Sequence, residues 1–485
     1  MDPQANFTDI VNNFPGLPPF PDDVPTAPLL RLSLSKLLAG DKAELERLYE
    51  ASVDIGFFYL DLHDCEHGKL LLGDADGLFQ VGERLFELSL EEKKKYDFSA
   101  QNSYFGYKGQ GAAVVDSQGN LDRNEFYNIS KDDIMGITNP LPAPEVLHQS
   151  RDLAKSFMQG SHAIVSLILK ILNDKLSLPE GTLSNLHRLQ AVSGDQVRFI
   201  KAPPQPVDDR RTALGQHTDF GSVTVLFNRL GGLQVLPPGA DAEWVYVRPL
   251  LGHAIVNLGD AMVKFTNGLF RSNIHRVTAP PGAQGNSTRY SLVYFARPED
   301  DVMLRRLDGS ELIPPIEDDQ AEEEINSKDW IIRRALGRRV DLVKNIDFEK
   351  SAGTEQMSRR IKNEPRYHKK ELKFKFVYTT TEFHNTVTSN LRILTELCQV
   401  LDSNLEETDV SLIFKASDTC RALQLVSSTF PTSGNYPRSN VTFARCNYDM
   451  YISHVPSEFS VLLKVHRVTV NPVDRRYQRL SDPQL

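Results

Sequence analysis

Gln216-His217-Thr218-Asp219-Phe220-Gly221-Ser222 sets an imidazole and a carboxylate two residues apart. Alternate side chains of an extended chain share a face, so both groups can reach one metal ion. Alone the triplet carries little, since twelve histidines at an ordinary Asp frequency give roughly one such triplet by chance. Its surroundings raise it. Fifty-six residues after Asp219 stands His275, within Ser272-Asn273-Ile274-His275-Arg276-Val277, again in β-type sequence. Fourteen residues further, Arg289-Tyr290-Ser291 puts a guanidinium and a hydroxyl on one strand face. Two histidines and one carboxylate leave coordination positions open on iron(II), as oxygen activation requires. The guanidinium and hydroxyl supply charge-assisted recognition for the far carboxylate of a diacid.

Working outward, residues 196–298 form a succession of short β-type runs at 196–202, 222–227, 233–236, 244–247, 253–258, 273–278 and 289–296, parted by Gly and Pro turns. That pattern predicts a closed or sandwiched β architecture such as a jelly roll. Upstream the period is helical. Leu153, Phe157, Ile164, Ile168 and Leu172 predict a long helix over 152–176, stopped by Pro179. A second amphipathic stretch spans about 77–96, and Asp41 with Glu44 has the spacing of a capping box. Between these, Gly56-Phe57-Phe58-Tyr59-Leu60 predicts a short buried strand, and the Pro-rich first thirty residues predict an extended arm.

Composition bounds the partners. The chain has 485 residues, 40% apolar and 25% charged, with a net charge of −9. This leaves no surplus of Lys and Arg for a phosphate backbone, so nucleic acid is not an expected partner. No run approaches the roughly 20 apolar residues of a membrane span, and no signal peptide is apparent, which predicts a cytoplasmic protein without a membrane partner. Four cysteines without a CxxC pair argue against a thiolate metal site.

Residues 20–355 resemble the 2-oxoglutarate/iron(II) oxygenases that include isopenicillin N synthase-like proteins. The likeness rests on the triad, on Asp54-Ile55-Gly56-Phe57-Phe58-Tyr59, Gly231-Gly232-Leu233-Gln234-Val235 and Val256-Asn257-Leu258-Gly259-Asp260, and on Tyr294-Phe295-Ala296-Arg297-Pro298. It implies a mainly β protein with flanking helices (α+β), built on a double-stranded β-helix. It also implies that His217, Asp219 and His275 hold Fe(II) while Arg289 and Ser291 hold the 5-carboxylate of 2-oxoglutarate. O2 is then the oxidant, with ascorbate a candidate reductant. Succinate and CO2 would leave as a small organic substrate is hydroxylated, desaturated or cyclised, in specialised metabolism. Ala202 stands where many members carry a Tyr that helps hold the oxoacid. Two alternatives stay open: an oxidase whose substrate supplies all the electrons and whose Arg289 grips that substrate, and a catalytically silent receptor on the same fold.

Tyr104, Phe105, Tyr107 and Phe295 are candidate substrate contacts, the first three in a stretch expected to be loop. Asn124 and Glu125 fit a structural polar cluster better than a substrate contact. The His- and Asp-rich residues 61–67 fit a solvated turn rather than a second metal site, and Asp260 fits a barrel turn. The acidic run 317–324 is expected to be a linker leading into a helix near Trp330. The expected divisions are an arm (1–30), an N-terminal oxygenase region (31–180), the β-helix domain (181–300), a helical closure (301–360) and an unassigned α+β extension (361–485). In the extension, strands are expected near 372–378, 410–414 and 459–465 and a helix at 387–401; a protein partner is its candidate ligand.

Overall fold

The computed structural model describes residues 14–116, 118–206, 212–239, 242–316, 323–340, 342 and 354, and beyond these the backbone of five strands. The chain divides into two compact units, Met1–Arg366 and Tyr367–Leu485.

The first unit opens with β1 (Arg31–Ser33), α1 (Leu34–Leu38) and α2 (Lys42–Val53). The Asp41 carboxylate accepts the Glu44 N–H at 2.9 Å and caps α2. The reciprocal half of the capping box goes elsewhere: Glu44 accepts from the Ser33 N–H at 2.5 Å and from Arg47 at 2.7 Å, tying α2 to β1. The buried strand β2 (Phe57–Asp61) follows. Gly56 before it has φ +71°, and a Cβ there would lie 2.1 Å from the Arg271 carbonyl oxygen, so only glycine fits.

Helix α3 (Glu66–Glu87) starts well ahead of the expected position near 77. In its early turns only Gly68, Leu71 and Ala75 are buried, so the apolar period is faint there. After α4 (Leu90–Lys94) come two strands that the sequence hid, β3 (Gly106–Lys108) and β4 (Glu125–Ser130). Short α5 (Lys131–Ile134) and α6 (Glu145–His148) lead to α7 (Arg151–Lys175), which ends ahead of Pro179 as expected.

The β-rich half follows with β5 (Gln196–Ala202), β6 (Leu214–His217), β7 (Val223–Asn228), β8 (Leu233–Val235), β9 (Val245–Tyr246) and β10 (His253–Leu258). Helix α8 (Asp260–Phe265), β11 (His275–Val277), β12 (Arg289–Ala296) and α9 (Ser327–Leu336) complete the unit.

These strands form two sheets. The larger has the order β1-β2-β10-β7-β12-β5-β4-β3, antiparallel throughout except for β1 with β2; the smaller has the order β6-β11-β8-β9. Period-two alternation gives the large sheet two unlike faces. Phe58, Leu60, Val197, Phe199, Leu292 and Tyr294 join the apolar face of α3 and α7 in one extended core. On the opposite face, Phe57, Tyr59 and Ile255 pack with Leu233 and Val235 of the small sheet and with Val247 in a second core. The interior between the sheets is where the candidate site lies.

In the second unit β13 (Lys375–Val377), β14 (Val410–Ser417), β15 (Ala422–Ser427), β16 (Asn447–Val455) and β17 (Glu458–Arg467) form a sheet of order β13-β15-β14-β17-β16. Strands occur at all three expected places, and the helix expected at 387–401 lies outside the described residues.

Candidate active site

The strand register sets His217, the last residue of β6, directly across from His275, the first of β11. Asp219 lies just beyond β6, not on a continuing strand as expected, ahead of a bend at residues 220–222, and its carboxylate comes close to both rings. His275 Nε2 is 3.6 Å and His217 Nε2 3.9 Å from Asp219 Oδ1, and the ring centroids are 4.2 Å apart. One ligand atom from each residue lies within 4.8 Å of the others, a spacing that a single metal ion can bridge.

Hydrogen bonds fix which atoms face inward. His217 Nδ1 is 2.8 Å from the Gly215 carbonyl and His275 Nδ1 is 3.0 Å from the Asn273 carbonyl. A carbonyl only accepts, so each Nδ1 carries the proton and each Nε2 presents a lone pair. Thr224 Oγ1 and Asn257 Nδ2 donate to Asp219 Oδ2 at 2.6 and 2.7 Å, leaving Oδ1 for the shared centre. Burial, reinforced by His275, holds the His217 imidazole well below its ordinary value and so neutral. Burial opposes ionisation of Asp219, yet its pKa lies below the ordinary carboxylate value, and the two donors on Oδ2 favour the ionised form. Two neutral nitrogens and one carboxylate oxygen are a donor set that suits ferrous iron.

Helix α9 buttresses the bend. Arg334 donates to the Thr218 carbonyl at 3.1 Å and pairs with Asp260 at 3.1 Å, both side chains fully buried, while Trp330 Nε1 reaches the Phe220 carbonyl at 3.2 Å. Asp260 is therefore no barrel turn; it opens α8 and also accepts from Thr354 at 2.6 Å. An Asn within the buried run 253–258 hinted at Asn257, but no local signal marked Arg334.

Arg289 and Ser291 share the interior face of β12, and Arg289 Nη1 donates to Ser291 Oγ at 2.6 Å. Arg289 Nε binds the Gly231 carbonyl at 2.7 Å. Among the described residues the buried guanidinium has no carboxylate within ion-pair distance. Desolvation lowers its pKa to about 10, so it remains a cation at neutral pH. A buried, unpaired and aimed cation calls for an anionic ligand. Ala202 lies directly across β5 from Arg289, so the position that could have offered a phenol offers a methyl group.

The candidate substrate contacts separate. Phe295 faces the interior opposite Thr224, and Tyr104 and Phe105 stack on one another with centroids 4.6 Å apart. Tyr107 lies on a strand rather than a loop and turns to the helical side, its hydroxyl donating to Glu125 at 2.7 Å. Asn124 joins the segments that lead into β4 and β6 by donating to the Ala213 carbonyl at 2.7 Å. The 61–67 stretch is no simple turn: Cys65 caps α3, and Asp61 and His63 meet His253 in a second cluster of metal-type donors. Arg31 already fills that cluster, pairing with Asp61 and donating to His253 Nε2 at 2.5 Å. Of the acidic run, Glu323 pairs with Arg333 and residues 317–322 lie outside the described ones.

The sequence profile of the 2OG-Fe(II) oxygenase superfamily matches residues 184–298, and that of the non-haem dioxygenase in morphine synthesis N-terminal region matches residues 27–149. A 2-oxoglutarate-dependent dioxygenase of Aspergillus fumigatus is 35% identical over 338 residues, 65% of this chain and 86% of the relative. The chain belongs to the 2-oxoglutarate/iron(II) oxygenase superfamily. It is an oxidoreductase that uses iron(II) and 2-oxoglutarate. The dioxygenase gloE of Glarea lozoyensis is 32% identical over 283 residues, 58% of this chain and 83% of that protein. The fold is shared with a full-length Neurospora crassa protein crystallised in complex with alpha-KG, at a TM-score of 0.54 and 22% identity over 63% of this chain and 95% of that one. A 2OG-Fe(II) oxygenase family protein from Caulobacter crescentus gives 0.53 and 23% over 64% and 98%. No described helix of this oxygenase is long and apolar enough to cross a membrane.

Proposed function

We propose that His217, Asp219 and His275 hold the iron, that Arg289 and Ser291 hold the distal carboxylate of 2-oxoglutarate, and that the two facing sheets are a jelly-roll core around them. The observation that carries this reading is the tautomer-fixed pair of Nε2 lone pairs directed at the free oxygen of Asp219. Iron and 2-oxoglutarate, when bound, supply oxygen activation with succinate and CO2 as co-products. The residues of this chain do the rest. Asn257 and Thr224 orient Asp219 and keep it ionised. The second core, with Phe57 against His275 at 5.3 Å between ring centroids, excludes water from one side of the site. Phe295, Tyr104 and Phe105 lie toward the substrate side; Tyr107 is not assigned there, because it faces the helices.

The substrate is a small organic molecule whose C–H bond is hydroxylated, desaturated or used for ring closure, in specialised metabolism as the similarity to fungal dioxygenases favours. The cytosol is the proposed compartment. Residues 31–180, 181–300 and 301–360 are taken as N-terminal region, β-helix domain and helical closure, with the Tyr367–Leu485 unit as an interaction module outside the chemistry. Oxygen uptake by the iron-loaded protein with and without 2-oxoglutarate tests the reaction class. Uptake that ignores 2-oxoglutarate but depends on an organic substrate would transfer Arg289 to that substrate. Mass spectrometry of candidate metabolites after turnover identifies the oxidation.

A further inference from the structure

Arg198 lies on the interior face of β5, in register with Val293 of β12 and Asn128 of β4. The guanidinium carbon stands 4.2 Å from the centroid of the Phe126 ring and 5.0 Å from that of Phe295, and Nε donates to Asn128 Oδ1 at 2.7 Å. Asn128 is itself held by donating to the Tyr104 carbonyl at 2.5 Å. Two aromatic neighbours and one bonded edge thus fix the group, and the Nη edge is left over. Among the described residues no carboxylate lies within ion-pair distance of it, and the bond to Asn128 is its one hydrogen bond. Burial lowers its pKa to about 9, with nearby Arg297 pushing the same way and Asp219 the opposite way, and it stays charged at neutral pH.

Other groups nearby are equally unsatisfied. Gln196, two residues earlier on the same face, is fully buried, and neither the nitrogen nor the oxygen of its amide has a partner. Arg297, also buried, lies over Tyr104 and Phe295 at 5.2 and 5.6 Å; its Nη1 donates to the Gly194 carbonyl, and its Nε is unpartnered. Buried polar and charged groups left in this state are costly unless a ligand completes them.

Charge balance points the same way, resting on the assignment made under Proposed function. The charges of iron(II) and Arg289 are matched by Asp219 and the two carboxylates of 2-oxoglutarate. Arg198 remains uncompensated. We propose that the substrate of this oxygenase is an organic acid, recognised through a two-pronged contact between its carboxylate and the free Nη edge of Arg198. A planar fork beside two aromatic rings suits a carboxylate better than a neutral amide or alcohol. The side chains next to Arg198 along that face are Val293 and, one strand beyond, Leu226 on one side, Asn128 on the other, and Gln196 and Ile200 along β5, so the part of the substrate adjoining the carboxylate meets apolar side chains and one unpartnered amide.

The test is anaerobic calorimetry on the full chain loaded first with iron(II) and 2-oxoglutarate. It is then titrated with matched pairs: benzoate and benzamide, phenylacetate and phenylacetamide, 3-phenylpropanoate and its amide. At least one acid should bind about tenfold more tightly than its amide. Arg198→Gln should erase that preference and Arg198→Lys should keep part of it, with 2-oxoglutarate still bound in both variants. Acids and amides binding alike, no acid binding at all, or a preference that survives Arg198→Gln would each overturn the proposal. The 2-oxoglutarate titration that precedes the acids is read separately: its failure in the unmutated protein sinks the iron and co-substrate assignment instead.

Discussion

Asp219 shows its two oxygens to different worlds, Oδ2 to Thr224 and Asn257 and Oδ1 to the paired imidazoles. Outer hydrogen bonds of this kind typically set metal affinity by about 10–100-fold. Asn257→Ala is therefore expected to weaken iron binding by that order, measured by competition with a chromophoric chelator; unchanged affinity would remove Asn257 from the site. Arg289→Gln is expected to raise the 2-oxoglutarate concentration needed for half-maximal turnover by about tenfold or more while iron binding persists, because a charged contact becomes a neutral one. His217 and His187 are both buried and held below the ordinary imidazole value by desolvation. The unfolded chain takes up protons on them near pH 6.5 while the folded chain does not, so metal-free stability must fall as pH drops through about 6.5. Melting curves of the metal-free protein should thus shift to lower temperature between pH 7.5 and 5.5, and the opposite shift would show that these rings accept protons in place. The proposed triad was legible because its residues are chemically distinctive types at telling separations. Arg198 was not, since one Arg in a strand is ordinary until register places it between Phe126 and Phe295 without an anion.

Helix α9 illustrates how an element far along the chain governs the site. Its Arg334 links the Thr218 carbonyl to Asp260 in a fully buried pair. Removing one partner strands the other charge, so Arg334→Met is expected to destabilise the protein by about 3–5 kcal/mol. The double variant Arg334→Met with Asp260→Asn should recover part of that loss, and denaturant titration of the pair provides the check. A double variant no more stable than the single one would mean that the hydrogen bond to Thr218, rather than the ion pair, dominates. The longest element announced itself: α7 carries its apolar period for its whole length and stops before a proline, whereas α3 showed only its later turns. Short ones did not, because β3 is only three residues long and β4 follows a polar segment, so both owe their extended form to neighbours in the sheet rather than to their own pattern.

Across the whole molecule, the division between Arg366 and Tyr367 separates a unit that contains every assigned site residue from one that contains none. A chain ending at Arg366 is expected to retain 2-oxoglutarate turnover within about twofold, read as succinate formed; loss of turnover with the fold intact would give the second unit a part in the chemistry. The two unlike faces of the large sheet carry a further consequence. Val197, Phe199, Leu292 and Tyr294 are committed to the helices, whereas Arg198, Ile200, Val293 and Phe295 lie on the opposite face, toward the interior between the sheets. In a duplicated gene, alternate codons of two strands can therefore drift toward a new metabolite while those between them keep the inherited scaffold intact.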